Sequence, residues 1–150
     1  MPQSLSKILV HIVFSTKSRR PFIKEPIQKE LYAYMATILK GCESPAIIIG
    51  GVDDHVHILC RLSKSEKLFS VIEEVKKKSS KWIKTKGKEY EEFYWQKGYG
   101  AFSIGSSQVD DLKRYINNQK EHHSQRSFQD EYRGLLKRYD VEYNESYLWD

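Results

Sequence analysis

The segment 51–60 places the strongest constraint on the fold, because its side chains alternate along an extended chain. It reads Gly-Val-Asp-Asp-His-Val-His-Ile-Leu-Cys. The pair Asp53-Asp54 is typical of a turn, and the alternation after it predicts a strand. Successive side chains of a strand point to opposite faces, so Val56 and Ile58 would face the core and the two histidines the other side. The chain therefore needs a sheet with two different faces.

His55 and His57 would bring two metal-capable imidazoles side by side on the second face of this sheet. A neutral imidazole binds divalent transition ions, and water or substrate oxygens can fill the remaining coordination positions. The alternative is a structural pair on the surface or in a hydrogen-bond network, because histidine serves many roles. The two histidines alone do not separate these interpretations.

The remaining chain alternates between strand and helix patterns. The spacing of apolar residues predicts strands over 7–15, 44–52 and within 93–104, besides the histidine strand, and helices over 25–40, 65–86, 109 to about 122, and 128–138. A loose tail follows. This order predicts an α+β domain with an antiparallel sheet, helices packed on one side and the other sheet face uncovered.

Length and composition fit one domain over residues 1–150, long enough to bury a core. No apolar run approaches the roughly 20 residues of a membrane span, and the N-terminus lacks the apolar core of a signal peptide. We therefore expect a cytoplasmic protein without membrane contacts. The two cysteines, Cys42 and Cys60, lack a Cys-x-x-Cys spacing, which argues against a zinc ribbon or a disulfide framework.

The net charge of +5 and the 10 Tyr, 3 Trp and 6 Phe residues suit a polyanionic partner whose bases can stack, as single-stranded nucleic acid does. A basic protein without a nucleic-acid function is the alternative. Two basic clusters are candidates for phosphate contacts, although a solvated loop or helix face is the ordinary explanation of each. The candidates are Lys17, Arg19 and Arg20 after the first strand, and Lys76, Lys77 and Lys81 on the second helix.

Tyr115 and Gln119 lie four residues apart on the third predicted helix, so they share a face distinct from its apolar stripe. An amide oxygen can complete part of a metal shell. A phenol with a pKa of about 10 becomes a useful nucleophile only when a metal or cations polarise the electrophile. The alternative for Tyr115 is an ordinary aromatic on a helix face. The chain has no Gly-x-x-x-x-Gly-Lys loop, so we expect no nucleotide cofactor.

Four segments of the chain together resemble the single-tyrosine HUH transposases. This family comprises small transposases of insertion sequences and the REP-associated tyrosine transposases, their domesticated relatives. The segments are residues 11–21 (HIVFSTKSRRP), 54–59 (DHVHIL), 95–99 (WQKGY) and 115–119 (YINNQ), in the order typical of the family. The single tyrosine on the third helix favours this family over two-tyrosine relaxases and replication initiators.

The resemblance implies a role for each matching residue. His55 and His57 would be metal ligands, Gln119 the third protein ligand, and Tyr115 the nucleophile that attacks single-stranded DNA and forms a 5′-phosphotyrosine. It further implies a ferredoxin-like open sheet, a homodimer, Mg²⁺ or Mn²⁺ as cofactor, and DNA hairpins as the partner in DNA transposition. In such dimers the tyrosine helix can complete the partner's metal site.

Two other functions stay open at this point. A domesticated relative would cleave palindromic repeats without mobilising itself, and it would carry the same residues. A non-catalytic nucleic-acid-binding module could also use an open sheet with aromatic residues and a basic rim. Against that module, the first and third strands lack the aromatic signature of RNA-recognition motifs.

Overall fold

The computed structural model describes residues 2–150 and contains a sheet of four antiparallel strands in the order β2-β3-β1-β4. Among these residues no helix is long and apolar enough to cross a membrane. The α+β, ferredoxin-like fold expected for the chain is confirmed. Its elements are β1 (Ile8–Ser15), α1 (Ile27–Gly41), β2 (Ala46–Val52), β3 (His55–Leu62), α2 (Leu68–Lys84), β4 (Gly100–Ile104), α3 (Val109–Asn117), α4 (Gln119–His123) and α5 (Phe128–Arg138).

The first face of the sheet packs against α1 and α2 and forms the main core. Ile12 and Phe14 of β1 and Ile58 of β3 are buried there, together with Leu31 of α1 and Val75 of α2. Each such side chain contributes roughly 1.5–3 kcal/mol when it is removed from water. The strand alternation therefore identified the core face correctly.

The second face is covered, so the expectation of an uncovered face is wrong. Val13 and Phe102 pack there against Phe128 and Tyr132 of α5. Ile116 of α3 packs in a neighbouring cluster with residues of β1, β3 and β4. The apolar stripes of α3 and α5 have no other surface on which to bury themselves, which explains why these helices return to the sheet.

The third helix is shorter than its apolar spacing predicts. α3 ends at Asn117, and Asn118 has non-helical backbone angles (φ −97°, ψ 21°) before α4 begins at Gln119. The Asn118 amide still donates to the Arg114 carbonyl at 3.0 Å. Asparagine is a weak helix former, because its side chain competes for backbone hydrogen bonds. Tyr115 and Gln119 therefore belong to two successive helices.

The tail predicted to be loose instead packs on α5. The Trp149 ring lies 6.5 Å from that of Phe128 and 6.0 Å from that of Tyr132, measured between ring centres. The Gly98 amide donates to the Asp150 carbonyl at 2.9 Å. An indole ring buries a large apolar area, and that area holds the tail in place.

Trp95 joins the main core to α2 through one buried hydrogen bond. Its ring makes an edge-on contact with Phe14, with centres 4.8 Å apart. Its Nε1 donates to Ser79 Oγ at 2.9 Å, and Ser79 is fully buried. A buried indole N–H needs such a partner, because an unsatisfied donor costs free energy.

Ser79→Ala should lower the free energy of unfolding by about 1–3 kcal/mol, because it leaves the Trp95 N–H unsatisfied. Urea unfolding measures the change. Ser80→Ala is the matched control, since it lies on the same helix and loses only the hydrogen bond from the Lys84 side chain. Equal stabilities of the two variants would show that the Trp95 hydrogen bond contributes nothing.

Candidate active site

The sheet register places both histidines at the start of β3, an inner strand of the sheet, where their side chains face the second layer. His57 lies opposite Val13 of β1 and opposite Gly50 of β2. The side chains of His55 and His57 are fully buried beneath the C-terminal helices. The turn at 53–54 and the strand alternation therefore direct both imidazoles toward the same layer.

Gly50 allows α3 to approach the sheet closely. A Cβ atom at this position would lie 2.7 Å from Cγ2 and 2.9 Å from the carbonyl oxygen of Ile116. This approach brings the neighbouring Tyr115 beside His57 of the same subunit, with ring centres 5.7 Å apart. A residue larger than glycine would push the tyrosine helix away from the histidines.

Glu131 of α5 is the central residue of the site, and the sequence analysis missed it. Its side chain is only 2% exposed. Its Oε1 lies 3.0 Å from His57 Nε2, 3.3 Å from His55 Nε2 and 3.0 Å from His123 Nε2. One feature of the sequence did indicate that Glu131 is buried: it follows Phe128 by three residues and so lies on the apolar stripe of an amphipathic helix. A carboxylate there must be buried and needs partners.

The second carboxylate oxygen of Glu131 faces the tyrosine. The Tyr115 hydroxyl donates to Oε2, and Gln119 Nε2 donates to the same oxygen at 3.0 Å. Gln119 Oε1 lies 3.0 Å from His55 Nε2. The structure thus brings together the four residues predicted from the sequence, and Glu131 is the group that they all contact.

The other ring nitrogens of the two histidines also have partners. Asp54 Oδ1 lies 2.7 Å from His55 Nδ1, and His11 Nε2 lies 2.8 Å from His57 Nδ1. Contacts of this kind fix the orientation of an imidazole and leave the opposite nitrogen available for a metal. Both Nε2 atoms accordingly point toward Glu131.

The buried charges at this site determine its protonation. Burial alone would lower the pKa of His55, but hydrogen bonds with Asp54 and Glu131 raise it to about 9. Burial lowers the pKa of His57, and this effect exceeds the opposite effect of Glu131. Burial alone would raise the pKa of Glu131, but hydrogen bonds with His123, His55 and His57 hold it well below its usual range. At neutral pH an ionised Glu131 therefore faces a charged His55 and a neutral His57.

Tyr115 is held as a neutral phenol in this environment. Burial raises its pKa above the ordinary value, and the negative charge of Glu131 raises it further. A protonated phenol is a poor nucleophile, so attack requires a proton acceptor and a polarised electrophile. Glu131 accepts the hydrogen bond of the phenol and orients its oxygen.

The donor set fits a divalent cation. The ligand atoms of His55, His57 and Glu131 lie within 4.8 Å of one another. Gln119 adds an amide oxygen next to His55 Nε2. Imidazole nitrogens with carboxylate and amide oxygens form a mixed set that divalent ions accept. The site is thus a possible metal centre, in which a cation would replace the proton of His55.

The three basic residues after β1 lie in an exposed turn. Lys17 Nζ lies 5.9 Å from the centre of the Tyr94 ring, and the Arg19 guanidinium lies 5.6 Å from that of Trp149. Arg20 forms an exposed ion pair with Glu92. The Arg20 guanidinium also lies 4.6 Å from the centre of the Phe22 ring, so all three cations lie beside aromatic rings.

The three candidate lysines of α2 lie on the opposite side of the sheet from the histidines, because α2 packs on the first face. Lys76 Nζ donates to the carbonyls of Gln96 at 2.8 Å and Gly98 at 2.6 Å, and burial lowers its pKa to about 8. Lys77 and Lys81 are exposed. The structure does not bring these three residues to Tyr115.

Comparisons with known proteins identify the family of the chain. The family model described as "Transposase IS200 like" matches residues 4–119. No curated protein matches the chain. A solved structure described as that of a transposase from Deinococcus radiodurans R1 has 16% sequence identity and a TM-score of 0.63, covering 79% of this chain and 98% of that one. A REP-associated tyrosine transposase bound to a REP hairpin has 14% identity and a TM-score of 0.61, covering 82% and 73%.

The two structural likenesses show a shared fold, whereas the family model identifies the chain. The matched region covers more than half of the chain and contains the two histidines, Tyr115 and Gln119. Glu131 lies beyond it, on α5. The chain belongs to the IS200-like transposase family.

Proposed function

We propose that the protein is a metal-dependent single-stranded DNA strand transferase that cleaves and rejoins DNA through Tyr115. The observation that carries this proposal is the meeting of the Tyr115 hydroxyl with two buried histidines at Glu131. A nucleophile, a carboxylate that accepts its hydrogen bond and a set of metal-binding side chains are all within one small volume. Family membership supports DNA transposition as the proposed biological role.

The proposed step exchanges one phosphodiester for another. The Tyr115 oxygen forms a bond to phosphorus while the bond between phosphorus and the 3′-oxygen of the DNA breaks. The phenolic proton is released as the new bond to phosphorus forms. Glu131 Oε2 accepts the hydroxyl hydrogen bond and orients the phenol, but the low pKa of Glu131 keeps the carboxylate ionised. The departing 3′-oxygen takes up a proton and becomes a hydroxyl. Attack of a 3′-hydroxyl on the phosphotyrosine reverses the step and rejoins DNA, so no nucleotide cofactor is needed.

His55, His57, Gln119 and Glu131 would hold the cofactor, for which we propose Mg²⁺ or Mn²⁺. When bound, the ion polarises the phosphoryl group and stabilises the negative charge that develops there. The two carboxylate oxygens of Glu131 have different roles in this proposal, because Oε1 faces the histidines and Oε2 faces Tyr115. Asp54 and His11 orient the two imidazoles.

The proposed substrate is a DNA hairpin flanked by single strands, by analogy with the REP-associated transposase bound to a REP hairpin. Tyr94 offers a stacking surface for an unpaired base, since it is 54% exposed. Lys17 and Lys84 lie 5.9 Å and 4.3 Å from the centre of its ring, where they could bind phosphates. Arg19, Arg20, Lys77 and Lys81 remain proposed backbone contacts, whereas the Lys76 ammonium already donates to three carbonyls.

The proposed site is complete within one subunit, because Tyr115 and Glu131 contact each other in the same chain. A homodimer remains our prediction from the family, but the tyrosine would act in cis. A domesticated relative would use the same chemistry. A cytoplasmic location remains our prediction, because the proposed substrate is DNA. A non-catalytic binding module has no need of a tyrosine directed at a buried carboxylate.

Tyr115→Phe should abolish covalent attachment to DNA, because no nucleophilic oxygen remains. Wild-type protein is incubated with Mn²⁺ and a pool of hairpin DNAs whose single-stranded flanks are randomised, and captured DNA is detected as an adduct on denaturing gels. Tyr147→Phe is the matched control, since Tyr147 is 73% exposed, and it should form the adduct normally. An adduct on the Tyr115→Phe protein would disprove the assignment of the nucleophile.

Mn²⁺ affinity should rise about tenfold per pH unit between about pH 6 and pH 8, because an ion must displace the proton of His55, whose pKa is about 9. His57, with its lowered pKa, adds no further dependence in this range. Calorimetry in buffers of different ionisation enthalpy should show about one proton released per ion. His55→Ala should lose binding and the exposed His122→Ala should retain it. A pH-independent affinity would contradict the metal site.

A mixture of His57→Ala and Tyr115→Phe proteins should form no more adduct than the separate proteins, because each active site takes all its residues from one chain. The assay uses the captured oligonucleotide and follows adduct formation after the two proteins have been refolded together. A mixture of wild-type and Tyr115→Phe protein is the control for exchange effects. Restored adduct in the first mixture would establish that the tyrosine acts across subunits.

A further inference from the structure

Arg126 lies between α4 and α5, next to two cavities that flank Tyr115. A cavity of 410 Å³ is enclosed by α3, α5 and the sheet, and a second of 500 Å³ lies toward α4. Tyr115, Glu131 and Arg126 line both of them. The nucleophile, the carboxylate and the guanidinium therefore stand together where the two cavities meet.

Gly134 of α5 leaves space for the end of the exposed Arg126 side chain. A Cβ atom at Gly134 would collide with Arg126 Nη2 and would lie 3.5 Å from its Cζ. Arg126 Nη2 also donates to the Asp130 carbonyl at 2.8 Å. Glycine weakens a helix interior relative to alanine, so its presence here needs a local reason. The space that it leaves is filled by the guanidinium.

The positive charge of Arg126 is not neutralised by a neighbouring acid. Within residues 2–150 no carboxylate oxygen lies within salt-bridge distance of this guanidinium. Glu131, the carboxylate nearest in the site, is already surrounded by three histidines. Arg126 thus retains N–H donors for an anion, and a guanidinium matches the paired oxygens of a phosphate.

Both cavities have apolar and polar linings. Ile104, Leu112 and Tyr139 give the 410 Å³ cavity an apolar wall suited to a nucleobase. Asn118 and Gln125 offer amide groups in the 500 Å³ cavity, which the Tyr115 ring also lines. Each cavity therefore offers both apolar contact and hydrogen bonds to a nucleotide of a single strand that passes Tyr115.

We infer that Arg126 binds the phosphodiester attacked by Tyr115 and that the two cavities receive the nucleotides on either side of it. This inference rests on the proposed function. Arg126 acts as a positioning residue and takes no proton. Its guanidinium holds the phosphoryl oxygens and reduces the repulsion between the DNA and an incoming phenolate, and Gly134 leaves the space that the guanidinium occupies.

The test measures binding of the captured oligonucleotide in the Tyr115→Phe background, where no cleavage intervenes. Arg126→Gln should weaken binding about tenfold to a hundredfold, as expected for loss of hydrogen bonds to a charged group. Lys137→Gln, an exposed change of equal charge on α5, is the control. A neutral methylphosphonate at the attacked position should remove the difference between Arg126 and Arg126→Gln proteins. A persisting difference would place Arg126 at another phosphate and overturn the inference.

Gly134→Ala provides a second test that leaves the arginine in the sequence. The added methyl group displaces the guanidinium, so adduct formation should slow in the otherwise wild-type protein while the thermal midpoint stays equal or rises. Unchanged rates in both Gly134→Ala and Arg126→Gln would refute the role of Arg126. If wild-type protein captures no oligonucleotide from the pool, the proposed function fails and this inference fails with it. If wild-type and Arg126→Gln proteins capture and bind the oligonucleotide equally well, this inference alone is refuted.

Discussion

The burial of one carboxylate determines how the C-terminal half of the molecule is arranged. An ionised group beneath a sheet is strongly destabilising unless charges and hydrogen bonds surround it. Glu131 is surrounded in this way by three imidazoles, an amide and a phenol, which come from β3, α3 and α4. The same contacts align the groups proposed for chemistry. The stability requirement of Glu131 and the geometry of the active site are thus met by one set of interactions.

The features predicted correctly from the sequence arise from local periodicity. Alternation along β1 and β3 separated the core face from the histidine face, and the order of strands and helices gave the α+β fold. The four-residue spacing of Tyr115 and Gln119 brought both toward one region even though the helix is interrupted at Asn118. Local patterns of this kind survive because a strand or helix imposes the same repeat in every context.

The features that the sequence did not reveal depend on distant segments. Nothing near Glu131 in the chain indicates that α5 returns to the histidines, since its partners on β3 are 74 and more residues away. Lys76 looks like one member of a lysine-rich helix face, yet its ammonium is occupied by carbonyls of the segment after Trp95. Likewise, the sequence of the tail predicts a loose segment, whereas in the fold Trp149 packs against the aromatic rings of α5. Tertiary packing decides the role of each.

The division of the apolar side chains between the two sheet faces has a consequence for local unfolding. The main core joins β1 and β3 to α1 and α2, whereas α5 rests on a smaller separate cluster around Phe128 and Tyr132. Segments with fewer buried contacts open at a lower free energy than the whole fold. Undocking of α5 would withdraw Glu131 while the sheet persists, so hydrogen exchange in α5 should be faster than in β1. The proposed active site would then have its own free energy of opening, distinct from the free energy of unfolding of the whole protein.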